Sequence, residues 1–186
     1  MINAGSKAAD VAVSGAGHAA SPAALSNTAP DSGLPEKSAP CELCSDSGGE
    51  VLVSTADFRV VLVDDPLYPG FCRVVWHAHV TEMTELGPAQ RSVLMAAVCR
   101  VELALREALQ PHKLNLASLG NMTPHLHWHV IPRFTDDAHF PTPVWAAPVR
   151  TPDPLKLAAR YAQLPALRSA LARHFSASDF LAGEAS

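Results

Sequence analysis

The stretch from residue 125 to residue 131 reads His-Leu-His-Trp-His-Val-Ile, with a histidine at every second position. Successive side chains of a β-strand point to opposite faces, so His125, His127 and His129 would share one face while the apolar residues enter the core. Helical spacing would spread the rings around the axis, and the β-branched and aromatic neighbours favour a strand. We predict a strand that ends at Pro132, because proline cannot donate to a sheet ladder.

Three imidazoles on one face are suited to group transfer. The unperturbed pKa of imidazole lies near neutrality, so neighbouring rings can divide the roles of nucleophile and proton donor. A neutral ring nitrogen can attack an electrophilic phosphorus and form a covalent intermediate. We predict that His127 is the nucleophile and that His129 protonates the leaving oxygen or holds the phosphate. Backbone amides of residues 120–123 would neutralise the developing charge.

The pattern His-x-His-x-His-x-x, with apolar residues at x, is complete from His125 to Ile131 and resembles the signature of the histidine triad superfamily. The resemblance covers roughly residues 41–140. It implies an α+β fold, a small nucleotide substrate, and a nucleotidyl intermediate on His127 with His129 at the phosphate and leaving group. It leaves His125 as an orienting residue or a zinc ligand. It also implies a homodimer with a sheet continued across the two-fold axis.

The preceding hairpin departs from the family pattern. Many members carry a histidine after Pro-Gly, whereas residues 68–71 read Tyr-Pro-Gly-Phe and place Phe71 there. Residues 72–86 are instead similar to the galactose-1-phosphate uridylyltransferase branch, which has glutamine at the third triad position. Because this chain keeps His129, we expect a hydrolase of dinucleoside polyphosphates or nucleoside phosphoramidates. A nucleotidyltransferase acting on sugar phosphates is the alternative.

Residues 41–44 read Cys-Glu-Leu-Cys, the spacing of half a zinc site, because thiolates two residues apart can bind one tetrahedral ion. In the uridylyltransferase-like branch, such a pair is completed by a histidine after the hairpin and by the first triad histidine. The resemblance therefore implies a structural Zn²⁺ held by Cys41, Cys44, His79 and His125. Two free cysteines are one alternative. A redox pair is another, although residues 45–49 indicate a loop rather than the opening of a helix.

Further polar side chains are candidates for nucleotide binding. Asp64 ends the second predicted strand, where the resemblance implies a ribose contact, but aspartate also starts turns readily. Asn121 and Thr123 lie in the loop before the triad, and Asn115 could close the site or point to solvent. Trp145 could cover the nucleotide, although an aromatic residue in a tail is more often an anchor.

Composition bounds the domain organisation. The 186 residues are 48% hydrophobic, which is enough for one domain with a sizeable core. Residues 1–38 have the Ala/Ser/Gly/Pro-rich composition of a disordered tail. Residues 39–140 form the predicted nucleotide-binding catalytic domain. Residues 141–186 are predicted to form a Pro-rich segment followed by amphipathic helices that pack on the catalytic domain.

The hydrophobic pattern predicts an antiparallel sheet of about five strands covered by one long helix, with further helices at the C-terminal end. The strands are expected at 50–53, 58–63, 71–76, 113–119 and the triad, in a largely antiparallel meander. The helix begins near Pro88 and ends at Gln110.

Charge and hydropathy exclude several partners. The net charge of −4 comes without a cluster of Lys and Arg, which argues against nucleic-acid polymers. Four cysteines do not suggest a disulfide framework. With no secretory signal and no run long enough to span a membrane, a cytoplasmic protein is expected.

Two rival functions use the same residues. In one, the three histidines hold a catalytic zinc as in a metallohydrolase. In the other, the pocket is a nucleotide sensor without turnover, which the missing Pro-Gly-His histidine favours.

Overall fold

A computed structural model describes residues 41–176 of the chain. The prediction made for residues 1–38 lies outside this range. The strands are β1 (Glu50–Ser54), β2 (Phe58–Leu62), β3 (Cys72–Trp76), β4 (Lys113–Ala117) and β5 (His127–Arg133). The helices are α1 (Glu42–Ser45), α2 (Pro88–Leu109), α3 (Pro154–Tyr161) and α4 (Leu164–His174), with a short 3₁₀ turn at Met83–Glu85. The predicted α+β class with a five-stranded sheet and one long helix is confirmed.

The sheet has the order β1-β2-β3-β5-β4, and every neighbouring pair is antiparallel. The predicted meander is therefore wrong in its second half, because β5 lies between β3 and β4. Helix α2 has 22 residues and spans about 33 Å, which carries the chain across the sheet to the far edge. Strand β4 forms that edge, and β5 then returns into the gap beside β3.

The triad strand also runs further than predicted. Strand β5 continues through Pro132 to Arg133, and Pro132 pairs with Leu114 of β4. The pairing of β5 with β3 stops at Val130 opposite Cys72. Beyond Val130 the strand pairs with β4 alone. Pro132 therefore fits there, because its missing N–H group lies on the side that has no partner strand.

One face of the sheet carries the main hydrophobic core. Helix α2 covers it with residues at helical spacing, and Leu167 and Leu171 of α4 pack in the same core. Leu126 and Val130 of the triad segment enter it too, as their alternation with the histidines predicts. The residues buried on α2 are Leu94, Ala97, Val98, Val101, Ala104, Leu105 and Leu109. None of the helices within residues 41–176 combines the length and apolar character that crossing a membrane requires.

The segment that follows β5 is held by a buried ion pair. Arg133 Nε donates to Asp137 Oδ2 at 2.7 Å, and both side chains are almost fully buried. Asp137 also accepts hydrogen bonds from the backbone N–H groups of Phe134, His139 and Phe140. Arg133 Nη2 donates to the Thr142 carbonyl at 2.8 Å. These bonds fix the path of the chain toward Trp145.

Candidate active site

The ring of His127 has a defined tautomer. Its Nδ1 atom lies 2.6 Å from the carbonyl oxygen of His125. A carbonyl can only accept, so Nδ1 carries the hydrogen and Nε2 carries the lone pair. His127 Nε2 lies 2.9 Å from His129 Nε2, so His129 is the donor in that contact. The backbone bond thus makes His127 Nε2 the unprotonated ring atom, which accepts a hydrogen bond from His129.

Burial keeps both rings neutral. It lowers the pKa of His127, with a backbone bond to His125 opposing and the charge of Arg73 reinforcing the effect. Burial likewise lowers the pKa of His129 to about 3, helped by the neighbouring His127 and Arg73. At neutral pH the His127 ring is therefore unprotonated at Nε2, and His129 offers a neutral N–H group.

A cleft of about 280 Å³ opens over the two rings on the sheet face opposite α2. The loop before the triad supplies one wall, which includes Asn121 and Thr123 as the sequence predicts. Helix α1 supplies another through Glu42, whose carboxylate accepts a hydrogen bond of 3.4 Å from the Thr123 hydroxyl. The cleft is therefore built from three separate parts of the chain around the histidine pair.

Two aromatic residues flank His129. The Phe71 ring lies 5.5 Å from the His129 ring, centroid to centroid, and Phe71 is buried. The Trp145 ring stands edge-on to His129 at 5.5 Å and is half exposed at the rim of the cleft. Phe71, at the position where the sequence resemblance would place a histidine, thus packs an apolar ring against His129 and adds to its desolvation.

Arg73 also lines the cleft, and the sequence analysis missed it. Strand pairing sets Arg73 directly opposite His129. Its Nε atom is buried and has no hydrogen-bond partner in the described part of the chain. Burial lowers the pKa of Arg73, which the Glu42 carboxylate opposes, yet arginine stays charged at neutral pH. The sequence feature that could have indicated this role is the single cationic residue, Arg73, among the apolar residues of β3.

Two predicted nucleotide contacts do not reach this cleft. Asp64 lines a different depression together with Tyr161 and Arg168. Asn115 accepts a hydrogen bond of 2.5 Å from Arg133 Nη1 and lines the groove beside β4. The structure thus brings Asn121 and Thr123 to the histidines and keeps Asp64 and Asn115 apart from them.

A second cluster joins the C-x-x-C pair to two histidines. The ligand atoms of Cys41, Cys44, His79 and His125 all lie within 4.8 Å of one another. His125 Nδ1 is 3.4 Å from Cys41 Sγ and 3.5 Å from Cys44 Sγ, and His79 Nδ1 is 3.3 Å from Cys44 Sγ. Tetrahedral zinc with ordinary bond lengths places sulfur and nitrogen ligands about 3.6 Å apart. These four residues therefore fit a zinc ion.

Hydrogen bonds around the cluster orient its possible metal ligands. His125 Nε2 lies 2.7 Å from the Trp76 carbonyl and must donate to it, which leaves Nδ1 with a lone pair facing the thiols. Arg59 Nη2 donates to the backbone carbonyls of Leu43 and Asp46, and so holds the cysteine-bearing turn against β2. The cluster is therefore connected to β3 through His125 and to β2 through Arg59.

Comparisons with known proteins agree with this geometry. A family model described as the HIT domain matches residues 46–136. The chain is similar to the crystal structure of a histidine triad protein from Bradyrhizobium japonicum, with 30% identity, a TM-score of 0.57, and coverage of 70% of this chain and 92% of that one. It is also similar to a histidine triad protein from Marinobacter aquaeolei, with 28% identity, a TM-score of 0.55, and coverage of 70% and 95%.

A curated relative carries a name with a stated activity. A protein named AP-4-A phosphorylase from Mycobacterium tuberculosis is 31% identical over 104 residues, which are 53% of this chain and 53% of that protein. The chain spans about half the length of the curated relatives it matches.

Proposed function

The chain belongs to the histidine triad family, and we propose that it processes a nucleoside phosphate through a covalent nucleotidyl intermediate on His127. The observation that carries the proposal is the hydrogen bond from His127 Nδ1 to the His125 carbonyl, because it leaves the lone pair on Nε2, which faces His129 where both rings line the cleft. The name AP-4-A phosphorylase, given to a relative of part of the chain, supports a nucleotide as substrate.

The reaction divides into two displacements. In the first, the Nε2 lone pair of His127 attacks the α-phosphorus, and the bond from phosphorus to the leaving group breaks. The leaving group takes the bonding electrons, and His127 becomes a cationic nucleotidyl-imidazole. In the second, water attacks the phosphorus and releases a proton, and the electrons of the P–N bond return to Nε2. Hydrolysis is thereby complete and neutral His127 is restored.

Neighbouring groups stabilise the charge that moves. His129 Nε2–H donates to a phosphate or leaving oxygen once substrate separates it from His127. Asn121 and Thr123 offer further donors at the loop wall. Transfer of the nucleotidyl group to a sugar phosphate instead of water would use the same first step, so the two alternatives differ only in the acceptor.

Of the rival readings, a three-histidine metal centre has little geometric support. His125 Nδ1 faces the two cysteines, whereas His127 Nδ1 is bound to a backbone carbonyl. Within residues 41–176, the group able to hold a metal contains His125 but neither His127 nor His129. A structural Zn²⁺ on Cys41, Cys44, His79 and His125 is therefore the metal that we propose. It would tie the cysteine-bearing turn to the start of β5.

A homodimer also belongs to this proposal. The outer edge of β4 has no neighbouring strand among the described residues, which supports a sheet continued into a second copy. Light scattering should then give twice the chain mass.

The decisive experiment is trapping of the intermediate. The protein is mixed with a panel of nucleotides, quenched without acid, digested and analysed by mass spectrometry. A nucleotidyl mass is expected on the peptide with His127, and none in His127→Ala. His112→Ala, which removes a histidine outside the cleft, should behave as wild type. Turnover by His127→Ala at the parent rate would refute the intermediate, and binding without turnover would identify a sensor.

A further inference from the structure

We propose that Arg73 binds a phosphate of the leaving group and so makes the protein prefer nucleotides joined through a phosphoanhydride bond. This role depends on the nucleotidyl transfer proposed above and narrows its substrate class. Phosphoramidates and esters with an uncharged leaving group would lack the group that Arg73 recognises.

Arg73 lies beside His129, the residue toward which the lone pair of His127 Nε2 points. Val75 of β3 lies opposite His127, whereas Arg73 lies opposite His129. The two β3 residues are about 6.7 Å apart along the strand. Attacking and leaving atoms lie roughly in line across phosphorus, so a leaving group expelled by His127 moves away from that ring. His129 and Arg73, which face each other across β5 and β3, would then lie nearest the leaving group.

Arg73 has no hydrogen-bonded partner for its guanidinium group within residues 41–176. No hydrogen bond or ion pair joins it to a carboxylate among residues 41–176, and its Nε is buried without an acceptor. Glu42, the carboxylate on the cleft wall, acts on Arg73 through its charge alone and accepts its hydrogen bond from Thr123. The Arg73 contact is with the Phe71 ring, whose centroid is 5.7 Å from the guanidinium carbon. A half-buried cation without an acceptor is costly, and a phosphate would satisfy it through two parallel N–H···O bonds.

The chemistry of departure agrees with this placement. A phosphate leaves as a stable anion and needs only hydrogen bonds and positive charge around it. An amine would have to receive a full proton, and His129 is neutral in its buried position. Arg73 and His129 together therefore suit an anionic leaving group and offer little to a neutral one.

Kinetics on two matched substrates tests the assignment. In one compound, a nucleoside monophosphate is joined to a further phosphate through an anhydride bond. In the other, the same monophosphate is joined to an alkylamine through a phosphoramidate bond. We expect Arg73→Gln to lower kcat/KM for the anhydride about 100-fold and for the phosphoramidate less than about 3-fold. Arg73→Lys keeps the charge without the fork and should fall between. Arg106→Gln, on the exposed side of α2, is the control for loss of one arginine.

Calorimetry with pyrophosphate alone gives a second readout that needs no turnover. Wild type should bind it, Arg73→Gln at least about 10-fold more weakly, and Arg106→Gln unchanged. Equal kinetic losses on both substrates, or pyrophosphate binding that is absent or independent of Arg73, would overturn the assignment. Arg73-dependent binding in a protein that turns over neither substrate would support the anion site and refute the nucleotidyl transfer.

Discussion

The Nε2 atoms of His127 and His129 lie 2.9 Å apart within a hydrogen bond, so the pair shares one proton at neutral pH. Since His127 Nδ1 is already a donor to the backbone, that proton belongs to His129. Adding a second proton would place a positive charge in a buried pocket beside Arg73.

Stability should therefore fall as the solution becomes acidic. The pKa of His129 is about 3 in the folded protein and near 6.5 in the unfolded chain. Below pH 6.5 the unfolded state binds a proton that the folded state refuses, so the free energy of unfolding decreases as pH falls from 6.5 toward 3. The slope from this residue is at most about 1.4 kcal/mol per pH unit.

Urea denaturation between pH 5 and pH 7 measures this effect. His129→Gln keeps a hydrogen-bond donor but has no titrating ring. Its free energy of unfolding should therefore vary less steeply with pH than that of wild type, and the difference in slope should correspond to at most about one proton taken up on unfolding. Identical slopes for the two proteins would show that the His129 ring does not titrate as described.

Asp137→Asn should destabilise the fold by about 3 kcal/mol, because it leaves the buried guanidinium of Arg133 without a charged partner. Asp136→Asn is the matched control. Asp136 is more exposed and pairs with Lys156 and Arg160, so its loss should cost about 1 kcal/mol or less. Equal effects of the two substitutions on urea denaturation would contradict a central role for Asp137.

The same carboxylate predicts a second acid dependence. Burial raises the pKa of Asp137, but Arg133 and three backbone N–H groups outweigh it, so the pKa lies below its ordinary value. Its stabilisation is complete above about pH 4 and is lost as pH falls through the folded pKa. Between pH 4 and pH 2, wild type should lose more stability than Asp137→Asn, as denaturation by urea at each pH would show.

Trp145→Ala distinguishes a cover from an anchor. Trp145 is 54% exposed and stands over His129 at the rim of the cleft. We expect KM to rise about 10-fold, and stability to change by less than about 0.5 kcal/mol. Tyr161→Ala removes an exposed aromatic ring outside the cleft and should leave KM unchanged. A large drop in thermal stability with unchanged KM would assign Trp145 to anchoring instead.

Metal analysis tests the cysteine and histidine cluster. We expect one zinc per chain, its loss in a Cys41→Ser, Cys44→Ser double variant, and a Tm lower by about 5 °C or more. Cys99→Ser, an exposed thiol on α2, is the control. Zinc that survives the double substitution but disappears in His127→Ala would favour the metallohydrolase.

Sequence reasoning succeeded where structure follows from local periodicity. The two-residue spacing of the histidines places His127 and His129 on one face and Leu126 and Val130 on the other, and the structure confirms this division. Helix α2 follows in the same way from its apolar spacing.

Long-range pairing explains the failures. Whether β4 or β5 lies beside β3 is decided by contacts across the sheet, so the local pattern gave the wrong order. For the same reason, the sequence could not show that Arg73 faces His129, since that depends on the register of β3 against β5. The displacement of Asp64 from the cleft depends on the fold of the turn after β2, where Asp65 binds the backbone of Leu67.

The buried bonds around Asp137 have a practical consequence for anyone shortening this protein. A fragment trimmed at residue 136, the boundary of the matched family region, would retain the three imidazoles of the triad but lose Trp145, which lies over His129. Arg150 donates to the carbonyls of Asp137 and Phe140, closing this stretch into a brace. Expression boundaries should therefore be set beyond Arg150. An assay on a shorter fragment would measure a cleft without its rim.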